Sequence, residues 1–411
     1  MHIGVFSMKV IGIKNMFVFD GCTVKEIRFG MSNVEVRIDF DRRRRPRCPA
    51  CNSIAGREER RRSSARDIPF GLAQITIIDY EKLKVNCSKC GQRSWLSPAG
   101  IIPRRGITRR LQELAVRLAR DLSICKAAEY LDVPETTLRR WDKAYLKEML
   151  PEPELDGLRV LLIDEKSIGR GHNYITIVLN GDTGELLHCE EGKKGDALRS
   201  FINRLPESVK TGIEAACVDR GGAYISAIEE LLPHVDLVFD KYHLVSNFNK
   251  VVDEVRRDQW NTFRKDKDDD GAKAIKNQRY NLLRRPENNT EEQQDRLEKL
   301  LEINEPLSKV YILLEDFRDI LSERYLKYAK PNLEDWLETA KNSGLAAVKT
   351  FATNLEKRTE QVLNIIKHDI TNGLIEGFNN LVSRIIHRGC GYHDLEYLTL
   401  KLRQVSHRDV L

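Results

Sequence analysis

The 411-residue sequence predicts a multidomain α/β protein, and three observations predict it. Two Cys-x-x-Cys pairs bracket strand-like alternation near the N-terminus. A basic stretch with helical periodicity follows. From about residue 155, apolar strands alternate with helices before a long all-helical stretch. The length allows two to four domains. The chain is 41% hydrophobic and 32% charged, and no run approaches the ~18 apolar residues of a membrane span, so no membrane partner is expected. The start of the chain lacks the basic and apolar regions of a secretory leader, which makes a cytoplasmic protein the expectation.

Charge is placed unevenly. Residues 1–150 hold 30 Lys and Arg against 17 Asp and Glu, a net of +13, whereas the remainder holds 38 against 45, a net of −7. The basic half is therefore the candidate surface for a polyanion such as DNA. Arg42, Arg43, Arg44 and Arg45, with Arg47 and the run Arg60, Arg61 and Arg62, are placed to neutralise phosphates; a solvated arginine run is the plainer reading.

The first module, within residues 1–97, is built on Cys48, Cys51, Cys87 and Cys90. Each pair aims two thiolates at one point, and two pairs close the four-sulfur shell of a structural Zn2+ ribbon. Between them, 67–70 reads as a turn, and 73–80 and 82–85 read as two strands. Cys22, Cys125, Cys189, Cys217 and Cys390 lack such spacing and read as ordinary buried thiols.

Helical periodicity begins near Thr108 and opens a second module, 104–148. Leu111, Leu114, Ala115, Leu118 and Leu122 line one face, with Arg109 and Arg110 beside it. Residues 123–141 then read as a helix-turn-helix. Ala127, Ala128 and Leu131 bury the first helix, Asp132 and Val133 turn the chain, and Pro134 suits the first position of the second helix. Leu138 and Trp141 face its core, which leaves Thr136, Thr137, Arg139 and Arg140 for double-stranded DNA.

The third module, 155–245, runs strand 159–164, strand 172–180, turn 182–184, strand 185–190, helix 195–205, strand 213–219, helix 222–232 and strand 235–240. Three meander strands followed by strands alternating with helices are the plan of a ribonuclease-H-like core. Residues 246–370 carry helical spacing at 251–255, 297–301, 310–314 and 333–337, and a structureless loop of that length is implausible. They read as an all-helical insertion with 265–271 as an exposed tip, and the core resumes over 371–411. Three carboxylates mark this core: Asp164 closes the first strand, Asp219 the fourth, and Glu376 lies in the first turn of a helix over 374–382.

These pieces together resemble the ISL-three group of bacterial insertion-sequence transposases. The matching residues are the two cysteine pairs, the helix-turn-helix, Ile163-Asp-Glu165, Gly171-His-Asn-Tyr174, Val218-Asp-Arg-Gly-Gly-Ala-Tyr224, Phe239-Asp-Lys-Tyr-His243, Asn372-Gly-Leu-Ile-Glu-Gly-Phe-Asn379 and Arg388-Gly-Cys-Gly-Tyr392. They run in family order from residue 48 to about 392. The resemblance implies a DDE transposase whose triad is Asp164, Asp219 and Glu376. Such a triad would hold Mg2+ or Mn2+ for cleavage and strand transfer. It also implies terminal inverted repeats and target DNA as partners, a homo-oligomer, and a nucleoid-associated bacterial protein.

Several residues keep two readings at this level. Glu165 adjoins Asp164 and points to the opposite face of a continuing strand, as a supporting or structural group. Asp240 and His243 support the site, contact DNA or cap a helix. His172 and Tyr174 either approach the scissile phosphate or pack. Asn379 and Asn380 contact either DNA or the neighbours of Glu376. Arg384, Arg388, Lys401 and Arg403 give the C-terminal segment a basic face. Arg220 stands where the family pattern expects an apolar residue. The alternative function is a DNA-binding regulator or a domesticated, inactive transposase.

Overall fold

The computed structural model describes residues 16–71, 75–169, 173–192, 195–218, 222–370 and 373–407. Asp219, Arg220 and His172 lie outside these residues. The chain divides into two units, one of residues 1–151 with 385–411, the other of 152–384.

The first unit opens with β1 (Cys22–Phe29), β2 (Asn33–Phe40), β3 (Gly56–Asp67) and β4 (Ile75–Asn86), followed by β5 (Arg93–Leu96), β6 (Ile101–Ile102) and β7 (Ile107–Thr108). They form one sheet in the order β1-β2-β4-β3-β7-β6, with β5 also paired to β4. The expected pair of strands over 73–85 is the single strand β4, which serves two cores. Thr76, Ile78 and Tyr80 are buried, then the buried positions shift to Leu83 and Val85. Because strand side chains alternate, this change of phase moves burial to the other face. Ile78 and Tyr80 join Val36 and Ile38 in the main sheet core, whereas Leu83 and Val85 pack with Cys48 and Cys87. The partners change with the face: β2 pairs with 75–80, and β5 with 83–86.

Arg60, Arg61 and Arg62 belong to β3 rather than to a loose run. Arg62 pairs with Asp39 at 2.6 Å and Asp79 at 2.5 Å, and Arg60 lies 3.4 Å from Glu81.

Three helices follow: α1 (Arg109–Asp121), α2 (Ile124–Tyr130) and α3 (Glu135–Met149). The hydroxyls of Thr108 and Ser123 cap α1 and α2 by accepting from Leu111 and Lys126 N–H. Asp132 turns the chain with φ of 49°, a left-handed value that Asp tolerates. Pro134 is the N-cap of α3 instead of its first helical residue, and Leu122, expected on the apolar face, is exposed at the end of α1. Leu111, Ala115, Ala127, Leu131, Leu138 and Trp141 share one core, as their spacing predicts.

In the second unit, β8 (Val160–Ser167), β9 (Tyr174–Asn180) and β10 (Leu186–Glu191) form an antiparallel meander. After α4 (Gly195–Arg204) and the short α5 (Glu207–Lys210) come β11 (Ala215–Val218), α6 (Gly222–Leu231) and β12 (Asp236–Phe239). The sheet order is β10-β9-β8-β11-β12, with β11 parallel to both β8 and β12. Apolar runs such as Leu161, Leu162 and Ile163 are buried because the central strands are covered on both faces. β8 runs on to Ser167, so Asp164 sits within the strand and not at its end.

Eight helices follow: α7 (Lys241–Lys265), α8 (Asp269–Ile275), α9 (Arg279–Leu283), α10 (Glu291–Ile303), α11 (Glu305–Ile320), α12 (Leu326–Lys341), α13 (Ala346–Glu356) and α14 (Thr359–His368). All four segments with helical spacing lie in them. Phe248, Phe317, Trp336 and Phe351 form their aromatic core, with Phe317 and Trp336 stacked at 4.8 Å and Phe248 4.9 Å from Phe351. Residues 265–270 are exposed as expected, but Gly271 is buried against Phe263. The chain closes with α15 (Gly373–Arg388), within which the unit boundary falls, and α16 (Leu395–Ser406).

Candidate active site and metal centre

The four cysteines converge as their spacing predicts. All four sulfurs lie within 4.8 Å of one another, with Cys48 Sγ 3.6 Å from Cys90 Sγ and Cys51 Sγ 3.5 Å from Cys87 Sγ. A tetrahedral Zn2+ with Zn–S near 2.3 Å implies sulfur separations of about 3.8 Å, so the shell fits. The two turns are built alike. Cys48 and Cys87 C=O accept from Asn52 and Gly91 N–H at 2.9 and 2.8 Å, and both acceptor turns place those residues at positive φ. The Ser53 hydroxyl, 3.4 Å away, leads in pulling the Cys51 thiol down to about 6. Cys90 is pushed up to about 12: the Gln92 backbone lowers it, but its three neighbouring sulfurs outweigh that pull. Crowded thiols cannot all ionise without a cation between them, which a bound divalent metal relieves. Cys125 and Cys390, expected to be buried, are exposed, and Cys217 is buried.

The second site is centred on Asp164. Its Oδ1 accepts from Glu165 N–H at 2.8 Å, and its Oδ2 accepts from Asn379 Nδ2 at 2.5 Å. The second bond joins residues 215 positions apart and sets α15 against β8. Glu376 lies in the first turn of α15, three residues before Asn379 and so on the same side of the helix. Glu376 is exposed and Asp164 half-buried. The sequence leaves open what Asn379 touches; here it touches Asp164.

Neighbouring side chains on β8 face opposite ways. Asp164 stands opposite Ile177 and Glu165 opposite Thr176. The Thr176 hydroxyl lies 2.9 Å from the buried Tyr224 hydroxyl on α6, which places Glu165 on the α6 side and Asp164 on the α15 side. Burial, with Glu165 and Asp164 adding to it, raises the Tyr224 pKa. In the sequence Tyr224 is only the last residue of the Val218–Tyr224 motif, and its position on the Glu165 side of the sheet has no local signal.

The described pairing of β8 with β11 reaches Leu162 opposite Cys217. Asp164 follows Leu162 by two residues, and Asp219 follows Cys217 by two in the sequence. Among the described residues, the four cysteines are the group in which three or more metal-ligand atoms converge. A carboxylate such as that of Asp164 is the kind of ligand a hard cation takes, and beside it the buried Asn379 Oδ1 has no hydrogen-bond partner among the described residues, an acceptor that a hydrated ion's water would satisfy.

Asp240 is the N-cap of α7, accepting from Tyr242 N–H at 2.7 Å and His243 N–H at 3.4 Å, with His243 Nε2 3.5 Å from its other oxygen. Tyr174 starts β9 opposite Ser167.

In the first unit, Thr136 and Arg140 are exposed on α3, Thr137 is half-buried, and Arg139 lies 3.6 Å from Glu135. Arg42, Arg43 and Arg45 are exposed beside Arg44, which pairs with Asp20 at 2.8 Å. Arg109 is paired with Glu148, and Arg110 holds the buried Asp67, which also accepts from the Thr108 hydroxyl at 2.6 Å. Arg66 on β3 donates to Asp132 C=O at 2.8 Å and also to Leu131 C=O, tying the sheet to the turn before α3.

Lys401, expected on a basic face, is buried. It pairs with Asp142 at 3.1 Å, and Tyr397 donates to the same Asp142 oxygen at 2.5 Å. Burial lowers the Lys401 pKa and raises that of Tyr397.

Comparison with known proteins agrees with this layout. A family model described as a transposase, of the ISL3 group, matches residues 161–402, and one described as the helix-turn-helix domain of transposase family ISL3 matches residues 100–146. The chain is 29% identical over 339 residues to the transposase for insertion sequence element IS1001 of Bordetella parapertussis, covering 82% of this chain and 83% of that one. It is 24% identical over 275 residues, 62% of each chain, to the transposase for insertion sequence element IS1557 of Mycobacterium tuberculosis.

Proposed function

The chain belongs to the ISL3 family of transposases, and from that premise we propose that it excises and inserts its element by reading terminal inverted repeats and cutting and joining DNA at Asp164, Asp219 and Glu376. It is a DDE transposase, a DNA-cleaving and strand-transferring enzyme, and its family implies use of divalent metal. The observation that carries the site is the Asn379–Asp164 hydrogen bond, which brings the Glu376 helix onto the strand bearing Asp164. The sheet order, a meander followed by two parallel strands, supports a ribonuclease-H-like core, with α7 to α14 as its helical insertion.

In this reading Asp164, Asp219 and Glu376 hold Mg2+ or Mn2+. The bound ions supply activation of the attacking oxygen and stabilisation of the leaving 3′-oxygen. The protein's part is positional: Glu165 N–H and Asn379 fix the plane of the Asp164 carboxylate, and Glu376 approaches from the same side of α15. The four cysteines hold Zn2+ and brace the sheet that carries the helix-turn-helix. A homo-oligomer would pair two element ends.

Asp164→Asn tests the assignment. Cleavage of a duplex carrying the element's end should fall to background in Mg2+, with binding of that duplex unchanged in a mobility-shift titration. Nicking at the wild-type rate would remove Asp164 from the site.

A further inference from the structure

The acidic half of the chain contains a local exception to its charge. Residues 241–285 hold 12 Lys and Arg against 7 Asp and Glu, a net of +5, and the fold collects much of that excess on one face of α7 and α8. A cavity there is lined by Arg256, Trp260, Arg264, Lys273 and Lys276, with Asp269 as the acid among them. Beneath it Asp253 is shared by three guanidiniums: Arg256 at 2.9 Å, Arg257 at 3.0 Å and Arg279 at 3.4 Å. One carboxylate cannot neutralise three cations, and although Lys273 lies 3.4 Å from Asp270, Arg264 and Lys276 add to the excess, so the face stays positive. Trp260 lies open on it, 38% exposed under Arg264 at 5.6 Å, and Tyr280, 64% exposed on α9, lies 5.8 Å from Arg279, one of the guanidiniums around Asp253. Cations interleaved with open aromatic faces suit a nucleic-acid backbone and its terminal or unpaired bases. An apolar protein partner has no use for them.

We infer that this face binds the donor DNA on which the proposed active site acts, as a second DNA contact apart from the helix-turn-helix. It rests on the proposed function in taking DNA as the substrate and the sheet of the second unit as the place of the cut. α7 starts at Asp240, directly after β12 of the catalytic sheet, and is continuous to Lys265. At ~1.5 Å per residue, Arg256 stands about 24 Å along the helix, or about seven base pairs from the sheet at ~3.4 Å each. The contact therefore falls on duplex flanking the cut.

The test compares the full-length wild type with the triple variant Arg264→Gln, Lys273→Gln and Lys276→Gln. All three side chains are exposed, and equal thermal melts confirm the fold. Binding is measured without added Mg2+ or Mn2+, so the outcome is independent of whether Asp164 is catalytic. The probes are a duplex with the element's end and ~15 flanking base pairs, a duplex cut at the end, and a target duplex lacking the end. On the long duplex the slope of log affinity against log salt should fall by about 2–3, as expected for three lost phosphate contacts. On the cut duplex, wild type and variant should coincide. Trp260→Ala should abolish quenching of 2-aminopurine placed in the flank. Equal slopes on the long duplex would overturn the inference. So would a loss confined to the target duplex, or a loss of self-association with DNA binding intact.

Discussion

Two carboxylates, Asp142 in the first unit and Asp164 in the second, each bind a side chain from the far end of the chain, yet their surroundings differ. Asp142 is fully buried, and both of its charged or polar partners, Lys401 and Tyr397, are buried with it. Asp164 is half-buried, counts the neutral Glu165 N–H and Asn379 Nδ2 among its donors, and shares its side of the sheet with an exposed Glu376. Pairing with a cation inside a dry core commits a carboxylate to structure. Neutral donors such as these fix the direction of a carboxylate without themselves cancelling its charge, as the proposed metal site requires. The difference separates a clasp from the proposed site.

The largest effect that would break this contrast is on the clasp. Asp142→Ala leaves Lys401 buried without its counter-charge and should cost about 3–5 kcal/mol, read from denaturant unfolding. Replacing Asp142 and Lys401 together by Leu and Met should recover most of that loss, because a well-packed apolar pair is often no worse than a buried ion pair. A loss below about 1 kcal/mol for Asp142→Ala alone would make the clasp a surface feature.

A smaller effect belongs to the site. Asn379→Leu keeps the branched shape and removes the donor to Asp164, so the metal concentration for half-maximal cleavage should rise about 10–100-fold, with the rate at saturating metal largely retained. Direct Mn2+ binding, followed by its paramagnetic resonance signal, should weaken in parallel. A lower melting temperature with unchanged metal dependence would make Asn379 a packing residue.

The smallest effect lies at the rim of the clasp. Lys143 bonds Asp394 at 2.5 Å and lies 2.7 Å from Glu396, and its hydrogen bonds lead in holding both carboxylates below their ordinary values. Depressed folded values mean a contribution present above the unfolded value near 4 and lost as pH falls through the folded one. With both carboxylates mostly in solvent, each pair should contribute less than about 1 kcal/mol. The urea midpoints of wild type and Lys143→Gln should differ slightly at pH 6 and converge towards pH 3.

Much of the fold is legible along the chain. The four cysteines announce their cluster through spacing, because a Cys-x-x-Cys turn is local geometry. The helix-turn-helix announces itself through caps and 3.6-residue periodicity, and Leu138 and Trp141 are buried where that period places them. β4 shows where such reading fails. Its change of buried face between Tyr80 and Leu83 breaks the alternation and looks like the gap between two strands. The polar residues of β3 are exposed as they read, but their strand goes unseen, because their pairing with β4 is a property of the neighbour and not of their own composition. Lys401 reads as a surface lysine for the same reason.

What the amino-acid order determined by itself is the set of parts: a cysteine shell, a helical reader, a strand–helix alternation, and the residues of a DDE family. The tertiary structure alone decided the partners. It gave Asp164 to Asn379 and Asp142 to Tyr397 and Lys401, across 215 and 255 or more positions. It also gathered the cations of α7 and α8 onto one face of an otherwise acidic half. Periodicity and spacing act over a few residues, where backbone geometry sets the neighbours. Contacts across hundreds of residues depend on which faces pack together, and no local pattern records that.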